Sequence, residues 1–317
     1  MSLNIVLLGT GEFAVPPFTA LLQQSEHNVV GVYTQPDRTG RGHHRHVNRV
    51  KQLAEQHGVP VFQPHTVNAQ DALDELRSLN ADVFIVAAYG QIMKPEFLAI
   101  PRLGAFNLHG SLLPRHRGAA PVQYSIWKGD RDTGVTIFQI EPALDSGPMV
   151  GKVETTIGPK ETSGELMLRL AELSVPLTVD IVNQLAAGTA QFQAQDASQV
   201  TFAPKIRKDD GNINWNQSAT EIDCHVRAMQ PWPRASSWLH SEGRSPVRCI
   251  LLNVEPVTTA ASGTPGDIDV AEKQMRIHTG NGLLKILRLQ PEGKQAMDAI
   301  AFLNGYGITS TARFAST

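Results

Sequence analysis

Cysteine is nearly absent from this chain. Cys224 and Cys249 are the only two, and neither stands in a metal-binding or redox spacing. That excludes a disulfide framework and fits a reducing compartment. No apolar stretch approaches the roughly 20 residues that cross a bilayer. Charge of one sign is lacking too: 28 Lys and Arg face 30 Asp and Glu, a net charge of −2. Any RNA contact must therefore come from a local basic cluster, because phosphate affinity is carried by clustered cations. There is no internal repeat and no low-complexity segment. No Gly-x-Ser-x-Gly elbow occurs and neither cysteine is obviously activated, which disfavours a covalent intermediate. The chain enters a strand-like run at Ile5 to Leu8, leaving no room for a targeting segment, and a cytoplasmic location is expected.

What is present reads as an ordinary globular protein, 41% hydrophobic and 18% charged, within the usual range. Its 317 residues exceed what one core usually holds, so two domains are expected. Short apolar runs alternate with helical patterns over the first two-thirds, the mark of a parallel sheet covered by helices. Strands are expected at Asn4 to Leu8, Val29 to Thr34, Val61 to Gln63, Asp82 to Ala88, Gly104 to Leu108 and Gly134 to Ile140. Helices are expected over Pro16 to Gln24, Val47 to His57, Ala69 to Leu79, Pro121 to Lys128 and Thr162 to Ala187. After Gly188 the texture turns polar and turn-rich. Beyond it come one helix, Ala219 to Ala228, and β-like runs at Val247 to Val254, Gln274 to His278 and Leu283 to Leu289. The fold class is thus α/β, a Rossmann-like doubly wound, mainly parallel sheet, with a smaller C-terminal β-barrel of OB-like type. The boundaries that follow are 1–188 for a catalytic domain, 189–208 for a linker and 209–317 for the barrel.

Gly9-Thr10-Gly11-Glu12-Phe13-Ala14 follows a strand and opens a helix, as a dinucleotide fingerprint does. The acidic residue that should end the second strand is missing: that strand closes Val32-Tyr33-Thr34-Gln35, with Asp37 displaced into the loop. Arg38 keeps an NADP-dependent reductase as an alternative, beside the plainer reading of a tight first turn.

Asn107-Leu108-His109 falls at a strand end, where open α/β sheets place ligands. Residues two apart in a strand share a face. An amide can hold the oxyanion of a tetrahedral intermediate, and an imidazole can move a proton near neutral pH. Asp145 in Leu144-Asp145-Ser146-Gly147 lies just past the next strand, within reach of the same edge. A carboxylate there is expected to orient the imidazole and raise its pKa.

Phe106-Asn107-Leu108-His109-Gly110-Ser111-Leu112-Leu113-Pro114, then Arg117-Gly118-Ala119-Ala120-Pro121, Thr133-Gly134-Val135-Thr136 and Leu144-Asp145-Ser146-Gly147, resembles the core of the folate-dependent formyltransferases. The resemblance implies a catalytic centre of Asn107, His109 and Asp145. It implies 10-formyltetrahydrofolate as formyl donor, contacted by Ser111, Leu112, Leu113, Pro114, Tyr89, Gly90 and Ile92, and no metal.

Within that family the chain is most similar to members that act on initiator methionyl-tRNA. Gln35-Pro36-Asp37-Arg38 with Gly40-Arg41-Gly42 is similar to their acceptor-gripping loop, Arg41 matching its key arginine. Ala203-Pro204-Lys205-Ile206, Pro231-Trp232-Pro233 and Leu289 to Met297 match other segments of that branch. Arg38, Arg41, Arg45, Lys205 and Arg207 are the implied tRNA contacts, with Arg49 and Lys51 adding charge to the loop. An amino sugar nucleotide as acceptor is the alternative. The loop departs from its relatives in being His-rich at His43, His44 and His46, and a mobile basic loop is expected there rather than a metal site. In the second domain Arg227, Arg234, Arg244 and Arg248 are offset by Glu221, Asp223, Glu242 and Glu255. An RNA face would have to be segregated by folding, with Arg207, Lys208, Lys285, Arg288 and Lys294 as candidates. Trp215 and Trp232 are read as core residues, and a monomer is expected.

Overall fold

Val83-Phe84-Ile85-Val86-Ala87 is apolar at every position, and every position is buried. A strand covered on both faces cannot alternate, so such a run belongs at the middle of a helix-flanked sheet. The computed structural model places it there; it describes residues 1–37, 47–257, 263–271, 273–308 and 311–315. Arg38, Arg41, Arg45, His43, His44 and His46 lie outside the described residues.

The chain forms two compact units. The first comprises 1–121, 132–156 and 166–204. Its strands are β1 (Asn4–Gly9), β2 (Asn28–Tyr33), β3 (Val61–Phe62), β4 (Val83–Ala87), β5 (Ala105–His109), β6 (Asp132–Gln139) and β7 (Met149–Thr156). They hydrogen-bond in the order β3-β2-β1-β4-β5-β6-β7. The first five run parallel, and β6 and β7 add on antiparallel. Helices α1 (Val15–Gln23), α2 (Arg49–Gln56), α3 (Gln70–Ser78) and the single turn α4 (Pro95–Leu98) connect the parallel strands. The fold expected from the sequence is the fold observed. The strand β7 was not expected. Val150 is its buried position, and from Gly151 on half-buried residues alternate with exposed ones, the pattern of a strand with one solvated face.

Gly9 has a packing reason. A Cβ there would stand 2.7 Å from the Phe18 ring and 2.8 Å from the Ala87 carbonyl oxygen, so the first turn needs glycine to bring helix and strand together. Thr34, buried just after β2, bonds Asn48, and Asp37 binds Lys51 at 2.7 Å and Gln63 at 2.9 Å. No carboxylate is left there for a ribose among the described residues. The tight-turn reading is the one this geometry favours.

The second unit comprises 122–131, 157–165 and 205–317. It therefore takes in two stretches from before residue 188, including most of α5 (Pro121–Trp127) and the first residues of α6 (Ser163–Ala187). Helix α7 (Ala219–Ala228) starts on a capping box: Ser218 Oγ accepts the Glu221 N–H, and the Glu221 carboxylate accepts the Ser218 N–H. The remaining strands are β8 (Ser236–His240), β9 (Val247–Val257), β10 (Ile268–Ala271), β11 (Gln274–His278), β12 (Leu283–Pro291), β13 (Met297–Asp298) and β14 (Arg313–Ala315), with helix α8 (Ala299–Tyr306) before the last. They form an antiparallel sheet in the order β10-β11-β12-β9-β8-β14, with β13 beside β12. The sheet returns on itself. The Phe314 N–H donates to the Gly266 carbonyl at 2.8 Å, and Asp267 bridges to Arg313. Trp215 is a core residue as expected, its indole N–H donating to Ser237 Oγ at 2.9 Å. Among the described residues no helix is long and apolar enough to cross a membrane.

Candidate active site

Strand β5 pairs Asn107 with Val86 on one side and Phe138 on the other, and sets His109 opposite Thr136. The i, i+2 spacing puts both side chains on one face. Asn107 is half-buried, and among the described residues its side-chain amide makes no hydrogen bond. It is a donor and acceptor held at a sheet edge with its capacity unspent.

His109 is 4% exposed. Its Nε2 lies 2.9 Å from the His116 carbonyl oxygen. A carbonyl only accepts, so Nε2 carries the hydrogen in the neutral ring, and Nδ1 is the basic nitrogen. That nitrogen faces Asp145 Oδ2 at 3.8 Å. Burial pulls the imidazole below its ordinary pKa, and the Asp145 carboxylate and the His116 carbonyl oppose that pull without reversing it. Asp145 raises the pKa as expected, but desolvation disfavours the cation more than one carboxylate at this distance favours it, so the net shift is downward. The resting ring is neutral, and Nδ1 can take a proton beside a negative charge.

Asp145 sits in the turn between β6 and β7 with φ of 45°, a left-handed conformation unusual for a residue with a side chain. Its Oδ2 accepts the Gly118 N–H at 2.7 Å. Gly118 has to be glycine, since its φ is +127° and a Cβ would meet the Ala203 carbonyl oxygen at 2.5 Å. Gly147, two residues after Asp145, is required by close approach: a Cβ there would collide with the Gln139 carbonyl oxygen. The glycines in the two motifs thus fix how the carboxylate meets the imidazole.

The loop after β5 is anchored by Thr136, buried on β6. Its hydroxyl donates to the Ser111 carbonyl at 2.7 Å and accepts the Leu113 N–H at 3.1 Å. Sequence reasoning quoted Thr136 only as part of a motif. Several expected ligand contacts are internally committed. The Ser111 hydroxyl donates to the Arg115 carbonyl at 2.7 Å, and Leu113 and Pro114 are buried. Tyr89 packs its ring into the apolar core with Tyr33 and Phe97. Its carbonyl receives the Gln35 amide at 2.9 Å. These residues shape the edge rather than present free side chains to it. Leu112 is half-buried, Gly90 is exposed, and Ile92 is 86% exposed.

Residues 189–204, expected as linker, belong to the first unit and bond directly to the site. Thr201 Oγ1 accepts the His116 N–H at 2.8 Å, the Ala203 N–H donates to the Arg117 carbonyl at 2.7 Å, and Gln195 reaches the Asp145 turn. Composition hid this, because a polar, turn-rich stretch pairs with distant backbone without leaving a periodic signal. Of the expected tRNA contacts, Lys205 and Arg207 are exposed. Arg49 and Lys51 are ion-paired to Glu12 and Asp37.

In the second unit Trp232 is 55% exposed, which corrects its reading as a core residue: the flanking prolines carry it across the surface. It borders a cleft of about 520 Å³ lined also by Lys208, Arg234 and Arg248.

His109 with Asp145 at its Nδ1, and Asn107 two residues earlier on the same strand, are groups that can move a proton and stabilise an oxyanion, and none of the three is a side-chain nucleophile of the Ser or Cys type. Formyl transferase is the family matched, over residues 3–182, and the formyl transferase C-terminal domain is matched over residues 205–307. The chain belongs to the formyl transferase family. HypX from Aquifex aeolicus is similar in structure, at 16% identity and a TM-score of 0.62 over 98% of this chain and 49% of that one. The chain thus spans about half the length of HypX. An N-formyltransferase from Helicobacter canadensis, solved with folinic acid and dTDP-3-aminofucose, aligns over 93% of this chain and 100% of its own at 16% identity and a TM-score of 0.66. Glycinamide ribonucleotide transformylase 1 from Symbiobacterium toebii covers 62% of this chain and 95% of its own at 17% identity and a TM-score of 0.52.

Proposed function

We propose that this chain transfers the formyl group of 10-formyltetrahydrofolate to the α-amine of methionine on initiator tRNA. The observation that carries formyl transfer is Asp145 standing 3.8 Å from Nδ1 of His109, with Asn107 two residues earlier on the same strand. The neutral amine attacks the formyl carbon, and the carbonyl electrons move onto oxygen, where the Asn107 amide donates to the oxyanion. The amine proton passes to Nδ1 of His109, and the imidazolium is held by Asp145. Collapse of the intermediate re-forms the carbonyl and breaks the bond to N10, which takes up the proton held on Nδ1 of His109. Nε2, already committed to the His116 carbonyl, leaves His109 to act through Nδ1 as proton carrier. The oxyanion falls mainly to Asn107.

The tRNA acceptor is supported by the second unit. Arg227 is spent on Asp223 at 2.8 Å and Lys285 faces Glu255 at 3.8 Å. Lys208, Arg234 and Arg248 line the Trp232 cleft, and among the described residues none of the three forms an ion pair. Three unneutralised cations around an exposed indole suit phosphates and an unstacked base. A second reading, transfer to an amino sugar nucleotide, is favoured by the full-length alignment with the Helicobacter canadensis enzyme. The test offers formyl-folate with charged initiator tRNA, with an amino sugar nucleotide, or with water alone. Formylation of the tRNA only is the expected result; formylation of the sugar only would replace this reading by the second.

A further inference from the structure

Gln195 makes four hydrogen bonds with one carboxamide. Its Nε2 donates to the carbonyl oxygens of Asp145 and Gly147, each at 2.8 Å. Its Oε1 accepts from Nε and Nη2 of Arg117 at 3.0 and 2.7 Å. Both hydrogens and both lone pairs of the amide are therefore used. The partners close a ring: Arg117 precedes Gly118, and the Gly118 N–H holds Asp145 Oδ2 at 2.7 Å. The turn is gripped at its main chain by Gln195 and at its carboxylate by Gly118, with Arg117 joining the two grips.

Asp145 needs such a grip. A non-glycine residue at φ of 45° stays there only where its surroundings over-determine it. The carboxylate stands 3.8 Å from Nδ1 of His109. A small rotation of the turn would carry it away from a developing imidazolium.

We propose that Gln195 is a positioning residue for the reaction, holding the Asp145 turn so that its carboxylate faces Nδ1 of His109. This rests on the assignment of Asp145 and His109 to the reaction under Proposed function. It extends the active site into the segment that joins the two family domains. Gln195 itself touches neither His109 nor Asn107 among the described hydrogen bonds, and it acts through Asp145 alone.

The experiment uses the full chain and two variants. Gln195→Met keeps the shape and removes every bond. Gln195→Glu keeps the acceptors for Arg117 and loses both donors to the turn. Each is measured for turnover, for donor KM, for melting temperature, and for the His109 titration by NMR of ¹³C-labelled histidine, assigned with His109→Gln. Asp145 opposes the burial effect on His109, so a carboxylate that swings away lets the His109 pKa fall further. The expected result is a downward shift of the His109 titration in both variants. Turnover is expected to fall about 10- to 100-fold, the scale of a lost outer partner of a site, with donor KM little changed. In an Asp145→Ala background, Gln195→Met should cost nothing further, because its only route to the reaction is gone. An unmoved His109 titration in a folded Gln195→Met protein would overturn the proposal, and so would a full additional loss in the Asp145→Ala background. If Asp145→Ala alone keeps wild-type turnover, the assignment of the catalytic centre fails, and the NMR shift still reports whether Gln195 holds the turn.

Discussion

Asp145 Oδ2 accepts the backbone N–H of Gly118 at 2.7 Å, so two motifs separated by a helix and a strand in sequence are tied at the carboxylate that faces His109. The main-chain donor has no rotamer to change, and it fixes the oxygen more firmly than a side chain would. What the site can do chemically follows from that fixed point: a neutral buried imidazole, a carboxylate beside its basic nitrogen, and an uncommitted amide two residues away.

Asn107→Ala removes the donor to the oxyanion and leaves the sheet intact, because the side chain is half-buried and bonds nothing else among the described residues. Turnover should fall about 100- to 1000-fold. Donor binding, measured by fluorescence titration, should stay within a few-fold of wild type. Undiminished turnover would remove Asn107 from the reaction.

The buried imidazoles His109 and His225 both have pKa values below that of an exposed imidazole, in each case chiefly because burial disfavours the cation. The unfolded chain therefore binds more protons once the pH falls below about 6.5. Stability is full above that pH and declines as the pH drops toward the folded-state values, by up to about 1.4 kcal/mol per pH unit for each ring. Urea unfolding at pH 7.5 and 5.5 should show the loss, and His225→Gln should reduce its slope. In the reaction, protonation of His109 removes the proton acceptor, so the acid limb of turnover should lie below the ordinary imidazole range.

For the Trp232 cleft, salt separates charge from stacking. Lys208→Ala, Arg234→Ala and Arg248→Ala should each lower the slope of log affinity against log salt for tRNA by about 0.7 to 0.9. Trp232→Ala should weaken binding by about 1–3 kcal/mol with the slope unchanged. Variants that bind tRNA with the wild-type slope would place the RNA face elsewhere.

Gly118→Ala puts a Cβ 2.5 Å from the Ala203 carbonyl oxygen at a φ of +127°. The cost should be about 1–3 kcal/mol of stability, read as a lower melting temperature. Turnover should drop by more than the folded fraction explains, because the displaced amide is the one that holds Asp145. Activity that merely tracks the folded fraction would count against this role.

Much of this protein could be read from its residues. The continuous run at Val83–Ala87 marks a buried strand, and the spacing of Asn107 and His109 puts both on one face wherever that strand lies. Strand β14 and helix α8 escaped notice because they are short and take their stability from the barrel they complete.

Local chemistry set most of the elements and the α/β class, and it offered the amide, imidazole and carboxylate as candidates, since these follow from periodicity and from what each side chain can donate or accept. Only folding decided that Gln195 and Thr201, in a stretch with the composition of a linker, would bond to residues 116–117 and 145. Only folding buried His109 enough to keep it neutral beside a carboxylate. Hydrogen bonds between distant segments and the loss of water around a ring depend on which surfaces meet, and no run of neighbouring residues encodes that.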